Sequence, residues 1–149
     1  MKLPEEIRER FRQYGRAGGN RRAELMAPAD RRAVARRAAT ARWTRERFGA
    51  SSFDELGLPG GDLVDAGLDA LASGRVTPEA LAVSLAAPRL RREGVPVGSV
   101  LDDPERRLFD LLSERDGDLA YARYKAFLRR LVSFADSCRF VRVPRARAS

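Results

Sequence analysis

The chain has 149 residues, a net charge of +8 and a pI near 10.8; 44% of its residues are hydrophobic and 34% charged. That is enough apolar side chain for one folded domain, and it argues against wholesale disorder. No apolar run approaches the roughly 18–20 residues of a membrane span, and MKLPEEIRER has no hydrophobic signal region, so a cytoplasmic protein with no membrane partner is expected, with association with the nucleoid open.

Residues 4–14 read as a short helix. Pro4 suits a first turn, Glu5 and Glu6 favour the positive helix N-terminus, and Ile7, Phe11 and Tyr14 share one face. Gly15, Gly18 and Gly19 are expected to break it, with Asn20 capping a second short helix over 21–26. Pro28 opens a longer helix, 28–48, stopped by Gly49, with a thin apolar stripe of Val34, Ala38, Ala41 and Phe48. Residues 50–61 are rich in turn formers and are the expected hinge. Helix 62–73 follows, with Asp62 as its cap and Gly74 as its stop. Thr77-Pro78-Glu79 starts helix 78–87, which Pro88 kinks or ends.

Segment 95–101 reads as extended, and Asp102 and Asp103 read as caps of helix 104–115. Asp116-Gly117-Asp118 is a turn, and helix 118–138 carries a wide apolar stripe: Tyr121, Tyr124, Phe127, Leu128, Leu131, Val132, Phe134 and Cys138. RFVRV at 139–143 alternates like one short strand, and a basic tail follows. A lone strand makes no sheet, so the class expected is all-α: a small helical bundle at 50–138, an appended Arg-rich helical arm at 1–49, and a short extended segment with the tail at 139–149.

Charge is distributed unevenly. Residues 1–50 carry 14 basic and 6 acidic side chains; residues 51–88 carry 1 basic and 6 acidic; residues 89–149 carry 14 and 9. Only Lys2 and Lys125 among the 29 basic residues are lysine. Genomic composition can raise arginine and alanine together, but it does not arrange a basic arm, an acidic middle and a basic end. Helix 28–48 alone holds Arg31, Arg32, Arg36, Arg37, Arg42, Arg45 and Arg47, and Trp43 falls off its apolar stripe, between Arg36 and Arg47 with Arg32 nearby. Guanidinium groups grip phosphate and an indole can stack on an unpaired base. The candidate nucleic-acid-binding residues are therefore Arg21, Arg22, Arg31, Arg32, Arg36, Arg37, Arg42, Trp43 and Arg47. DNA or RNA is the expected partner, DNA before RNA, in an accessory or regulatory role of low sequence specificity. The bland alternative buries Trp43 against the bundle and leaves the arginines as a solvated face.

The stretch at 18–43 resembles a short element found in many bacterial plasmid and mobile-element proteins: Gly-Gly, small and basic residues, Leu-x-Pro-x-x-Arg, then an Ala/Arg helix ending Ala-Arg-Trp. The matching positions are Gly18, Gly19, Arg21, Arg22, Pro28, Arg32, Ala35, Arg36, Ala38, Ala39, Ala41, Arg42 and Trp43. Ser or Thr usually precedes the proline in that element, whereas Ala27 stands here and offers no side-chain cap. The resemblance implies nucleic-acid association and identifies no enzyme.

The chemistry available to an enzyme is narrow. Histidine is absent, which removes imidazole acid–base catalysis, Ser-His-Asp triads and His metal ligands. Cys138 is the single cysteine and sits on an apolar stripe, so a buried, inert thiol is expected and a Cys metal site is not. The glycine run 57–61 lacks the Lys-Ser/Thr of a phosphate loop. Asp62, Asp65 and Asp69 share a helix face that reads first as a solvated acidic surface, and second as a site for a hard cation or for the basic arm. No enzyme, metal or cofactor is expected. The second functional reading is a protein-interaction module, an antitoxin or adaptor for a toxin or nucleotidyltransferase partner, with homodimerisation also open.

Overall fold

In a computed structural model that describes residues 4–141, the protein is all-α. Six helices follow in order: α1 (Glu5–Leu25), α2 (Pro28–Phe48), α3 (Gly61–Ala72), α4 (Pro78–Arg92), α5 (Pro104–Asp116) and α6 (Ala120–Val141), with one 3₁₀ turn, Gly117–Leu119, before α6. The described residues contain no strand. Helices α3 to α6 pack on one another around α4, whose Ala80, Leu81, Ala82, Val83 and Leu90 are fully buried. An almost wholly apolar helix has this one place to go, since every face of it needs cover.

The expected break at Gly15, Gly18 and Gly19 does not occur. The three glycines continue a single helix to Leu25, with Asn20 inside it and capping nothing. Glycine in a helix costs about 1 kcal/mol relative to alanine and weakens it without stopping it. None of the three takes the left-handed backbone by which Gly49 ends α2, where φ is 83° and the amide closes onto the Arg45 carbonyl. No residue of α1 is buried.

The last turn of α2 ends inside the core. Phe48 packs edge-on against Phe53, with centroids 5.1 Å apart, and Phe53 packs edge-on against Phe134 of α6 at 5.0 Å. This ladder joins α2, the 50–60 connection and α6 through one buried column. The connection is therefore no hinge. Phe53 is wholly buried, and Asp65 of α3 accepts the backbone N–H groups of Phe53 and Asp54 at 3.0 and 2.8 Å. Alanine at position 65 leaves those two donors without their acceptor. Denaturant unfolding of Asp65→Ala should show a loss of about 1–3 kcal/mol.

Helices α3 and α4 touch backbone to backbone at Gly67. A Cβ there would stand 2.4 Å from Val83 Cγ2 and 2.7 Å from the Glu79 carbonyl oxygen. Helix propensity by itself favours alanine at this position, but overpacking reverses the sign. Gly67→Ala should destabilise by about 1–3 kcal/mol in the same assay.

Other expectations shift at the helix ends. Helix α3 starts at Gly61, and Asp62 pairs with Arg130 of α6 and caps nothing. Thr77 does cap α4, accepting the Ala80 N–H at 3.0 Å. Pro88 sits within α4, which runs on to Arg92, because buried Leu90 secures the turn beyond it. Asp103 takes a left-handed backbone, φ 45°, which aspartate tolerates better than most residues, and its side chain does not cap α5. Asp102 lies one residue further out and is exposed.

Arg139, Phe140 and Val141 are helical, the end of α6 and no strand. Three alternating residues fit either period, and Arg139 reaches across to Glu93 at the end of α4, 3.2 Å away. Arg142, Val143 and the basic tail lie outside the described residues. The buried stripe of α6 is narrower than expected. Leu131, Phe134 and Cys138 are buried, whereas Tyr121 and Val132 are exposed.

Candidate nucleic-acid interface

Helix α2 docks on a side that takes in only half of its expected apolar stripe, Ala41 and Phe48. Ala33, Thr44 and Phe48 are buried, with Thr40 and Ala41 half-buried; Val34 and Ala38 face solvent. Thr44 satisfies its hydroxyl within the helix, donating to the Thr40 carbonyl at 2.8 Å. Polar contacts then complete the docking. Arg37 pairs with Asp69 and donates to the Ser73 hydroxyl, and Arg36 donates to the Ala72 carbonyl at 3.4 Å. Both thus close on the C-terminal end of α3, where the helix dipole is negative and carbonyls lack partners. Arg45 donates to Ser51 at 3.1 Å.

The candidate arginines therefore split into two groups. Arg36 and Arg37 are spent on α3, and their pairs are half-exposed, so each is worth at most about 1 kcal/mol. The side chains of Arg31 and Arg42 make no hydrogen bond or ion pair among the described residues, and that of Arg32 only reaches back to the Pro28 carbonyl at 3.4 Å. All three are exposed. Arg21 and Arg22, at the end of α1, are exposed as well. Residues 16–47 hold ten arginines against three carboxylates, Glu24, Asp30 and Glu46.

Trp43 is 44% exposed, on the flank of α2, and the Arg47 guanidinium lies 4.5 Å from its ring centroid. One face of the indole is thus covered by a cation. Beside it runs an open groove of about 360 Å³, whose far wall is the segment 94–98. Arg91 pins that wall by donating to the carbonyls of Val97 and Gly98 at 3.1 and 2.6 Å. A second depression of about 300 Å³, between α2 and α3, meets the first at Pro96 and Gly98. Neither Arg91 nor this segment stood out as a site residue. Their nearness to Trp43 is tertiary, and nothing in VPVGS marks it.

Family models, curated proteins and solved structures alike show nothing similar to this chain.

The acidic face on α3 is not one site. Asp62 reaches Arg130, Asp65 the two amides of the 50–60 connection, and Asp69 both Arg37 and Arg75. Among the described residues no group of three or more acidic or Cys side chains is placed to hold a metal ion. The first two carboxyls are pushed in opposite directions. The hydrogen bond from Arg130 lowers that of Asp62, whose contribution to stability is lost as pH falls through its folded value. Burial raises that of Asp65 despite its two amide bonds, so its charging costs stability as pH rises through the raised value. No helix among the described residues is long and apolar enough to cross a membrane.

Proposed function

We propose that the protein binds nucleic acid, DNA in the first instance, through the arginines of α2 and the end of α1, as an accessory or regulatory factor of low sequence specificity. One observation carries this reading. After α2 has docked, Arg31, Arg32 and Arg42 remain exposed without a partner beyond their own helix, beside an indole that is itself half-exposed. Arg31 and Arg42 are eleven residues apart, which puts them on nearly one line about 16 Å long. Arg16, Arg21 and Arg22 on α1 are exposed as well and would add phosphate contacts, which present no fixed set of base-reading groups. A salt titration tests it. About four phosphate contacts on duplex DNA give a log–log slope near −3.6. Binding that is absent at low salt, or indifferent to salt, would remove this reading.

A second reading rests on α1. Ile7, Phe11, Tyr14 and Leu25 are 40–82% exposed on a helix with no buried residue. Their spacing of four, three and eleven keeps them on one face, which suits a partner helix of another protein or a second copy. A protein lacking residues 1–26 separates the two readings. It should unfold with the cooperativity of the full chain, since α1 supports nothing in the core, and it should keep the α2 share of nucleic-acid binding. Loss of the folded bundle on this truncation would show that α1 packs where the described fold leaves it exposed.

A further inference from the structure

We propose that the groove between α2 and the segment 94–99 is a binding site for unpaired nucleobases, so that single-stranded nucleic acid is held there as well as along the outer arginines. The inference rests on the nucleic-acid reading above and narrows it to a place and a form of polymer.

Its ligand class follows from the lining. The two depressions that meet at Pro96 and Gly98 are bordered by three arginines, Arg36, Arg47 and Arg91, and by no carboxylate. A cation or a basic peptide has nothing there to bind. The rest of the wall is aromatic, aliphatic or backbone apart from the hydroxyl residues Thr40 and Ser99, with Trp43 as its one large ring. A wall of that kind takes a flat, weakly polar group attached to an anion, which describes a nucleotide.

The geometry limits the form of the polymer. Each depression, about 360 and 300 Å³, is at the small end for ligand sites and has room for single rings, not for a duplex. On the α2 side the row is Arg36, Ala39, Thr40, Trp43 and Arg47, spaced three, one, three and four residues apart. Eleven residues of helix make that row roughly 16 Å long, enough for a few extended nucleotides. The far wall is already in place. Arg91 holds the carbonyls of Val97 and Gly98, and Val95 and Val97 are buried. Arg47 backs the indole and supplies a charge for the adjoining phosphate. A base in duplex DNA is hidden in its stack and cannot reach Trp43 without being extruded.

The experiment compares a short labelled oligothymidylate with a blunt-ended duplex at low salt, reading anisotropy and the emission of Trp43, the single tryptophan. The oligothymidylate is expected to quench Trp43. Trp43→Ala should weaken its binding by about fivefold to a hundredfold, and Trp43→Phe should restore most of it, since stacking needs a ring and no particular one. Gly98→Leu is an independent obstruction. A Cβ at Gly98 meets only open space, so the fold tolerates it while the side chain fills the junction of the two depressions. It should weaken the single strand by a larger factor than the duplex. If both polymers bind with a steep salt slope while Trp43 emission is unmoved and Gly98→Leu has no effect, the groove proposal falls and the outer-arginine reading stands. If neither polymer binds at low salt, both fall.

Discussion

Replacing Arg31, Arg32 and Arg42 together by alanine is expected to flatten the salt dependence of duplex binding by up to about 2.7 units of log–log slope, at about 0.9 per phosphate contact. Binding at physiological salt should weaken for all sequences alike, because phosphate contacts carry no base information. These three are the informative choices. Arg36 and Arg37 already bond α3, and Arg45 bonds Ser51, so removing any of them disturbs how α2 is held as well as what it can grip. Arg31, Arg32 and Arg42 are exposed and contribute no docking contact, so the triple variant should unfold at the wild-type denaturant midpoint. A slope measured on two unrelated duplexes, for wild type and variant, decides the matter. Equal slopes would show that this side of α2 does not meet phosphate, and the interaction reading built on α1 would then lead.

Phe53→Ala is expected to be among the most destabilising single substitutions in the chain, costing about 3–5 kcal/mol by denaturant unfolding. Phe53 is fully buried between Phe48 and Phe134, and both of its aromatic contacts are edge-on. Truncation opens a cavity at the point where three segments meet, and each edge-on pair adds about 0.5–1.5 kcal/mol beyond burial. The effect should extend to α2. With its anchor Phe48 left facing a void, α2 retains half-exposed ion pairs and the buried Ala33 and Thr44. Hydrogen exchange in α2 should therefore rise more than in α4. A loss under about 1 kcal/mol would mean that the column is not packed as described.

Which side of α2 faces the bundle was illegible in its own residues. The side chains with apolar character there, Val34, Ala38 and Ala41, are small, and a helix with so little to bury gives no strong preference of face. The choice is made by Phe48 at one end and by Asp69 and the α3 carboxyl end at the other, which rotate Val34 and Ala38 to solvent. The position of Trp43 beside Arg47 was legible, because a spacing of four residues on a helix sets it whatever the docking, whereas the exposure of Trp43 was decided by which side of α2 packs. The wall opposite Trp43 was not legible, since Arg91 and Val97 lie more than forty residues away and meet it only through the packing of α4.

The class and the order of helices α2 to α6 followed from the sequence alone, as did the central place of α4, since residues 78–87 are apolar almost all round. Periodicity, the Thr77-Pro78 start and an apolar run all encode choices that a helix makes with its nearest neighbours in the chain. Tertiary structure decided what happens where local signals are weak or double-edged. Pro88 does not stop α4, because it only makes the helix costlier and buried Leu90 secures the turn beyond it; Gly15, Gly18 and Gly19 do not stop α1 either, and there without any buried residue, because glycine within a helix is a cost and not a break. Residues 50–60, polar and turn-rich, become part of the core because one phenylalanine among them has two others to meet and one aspartate on α3 to hold its backbone. Such a contact is worth a few kcal/mol only when its partners are brought together by the rest of the fold, so no local pattern announces it.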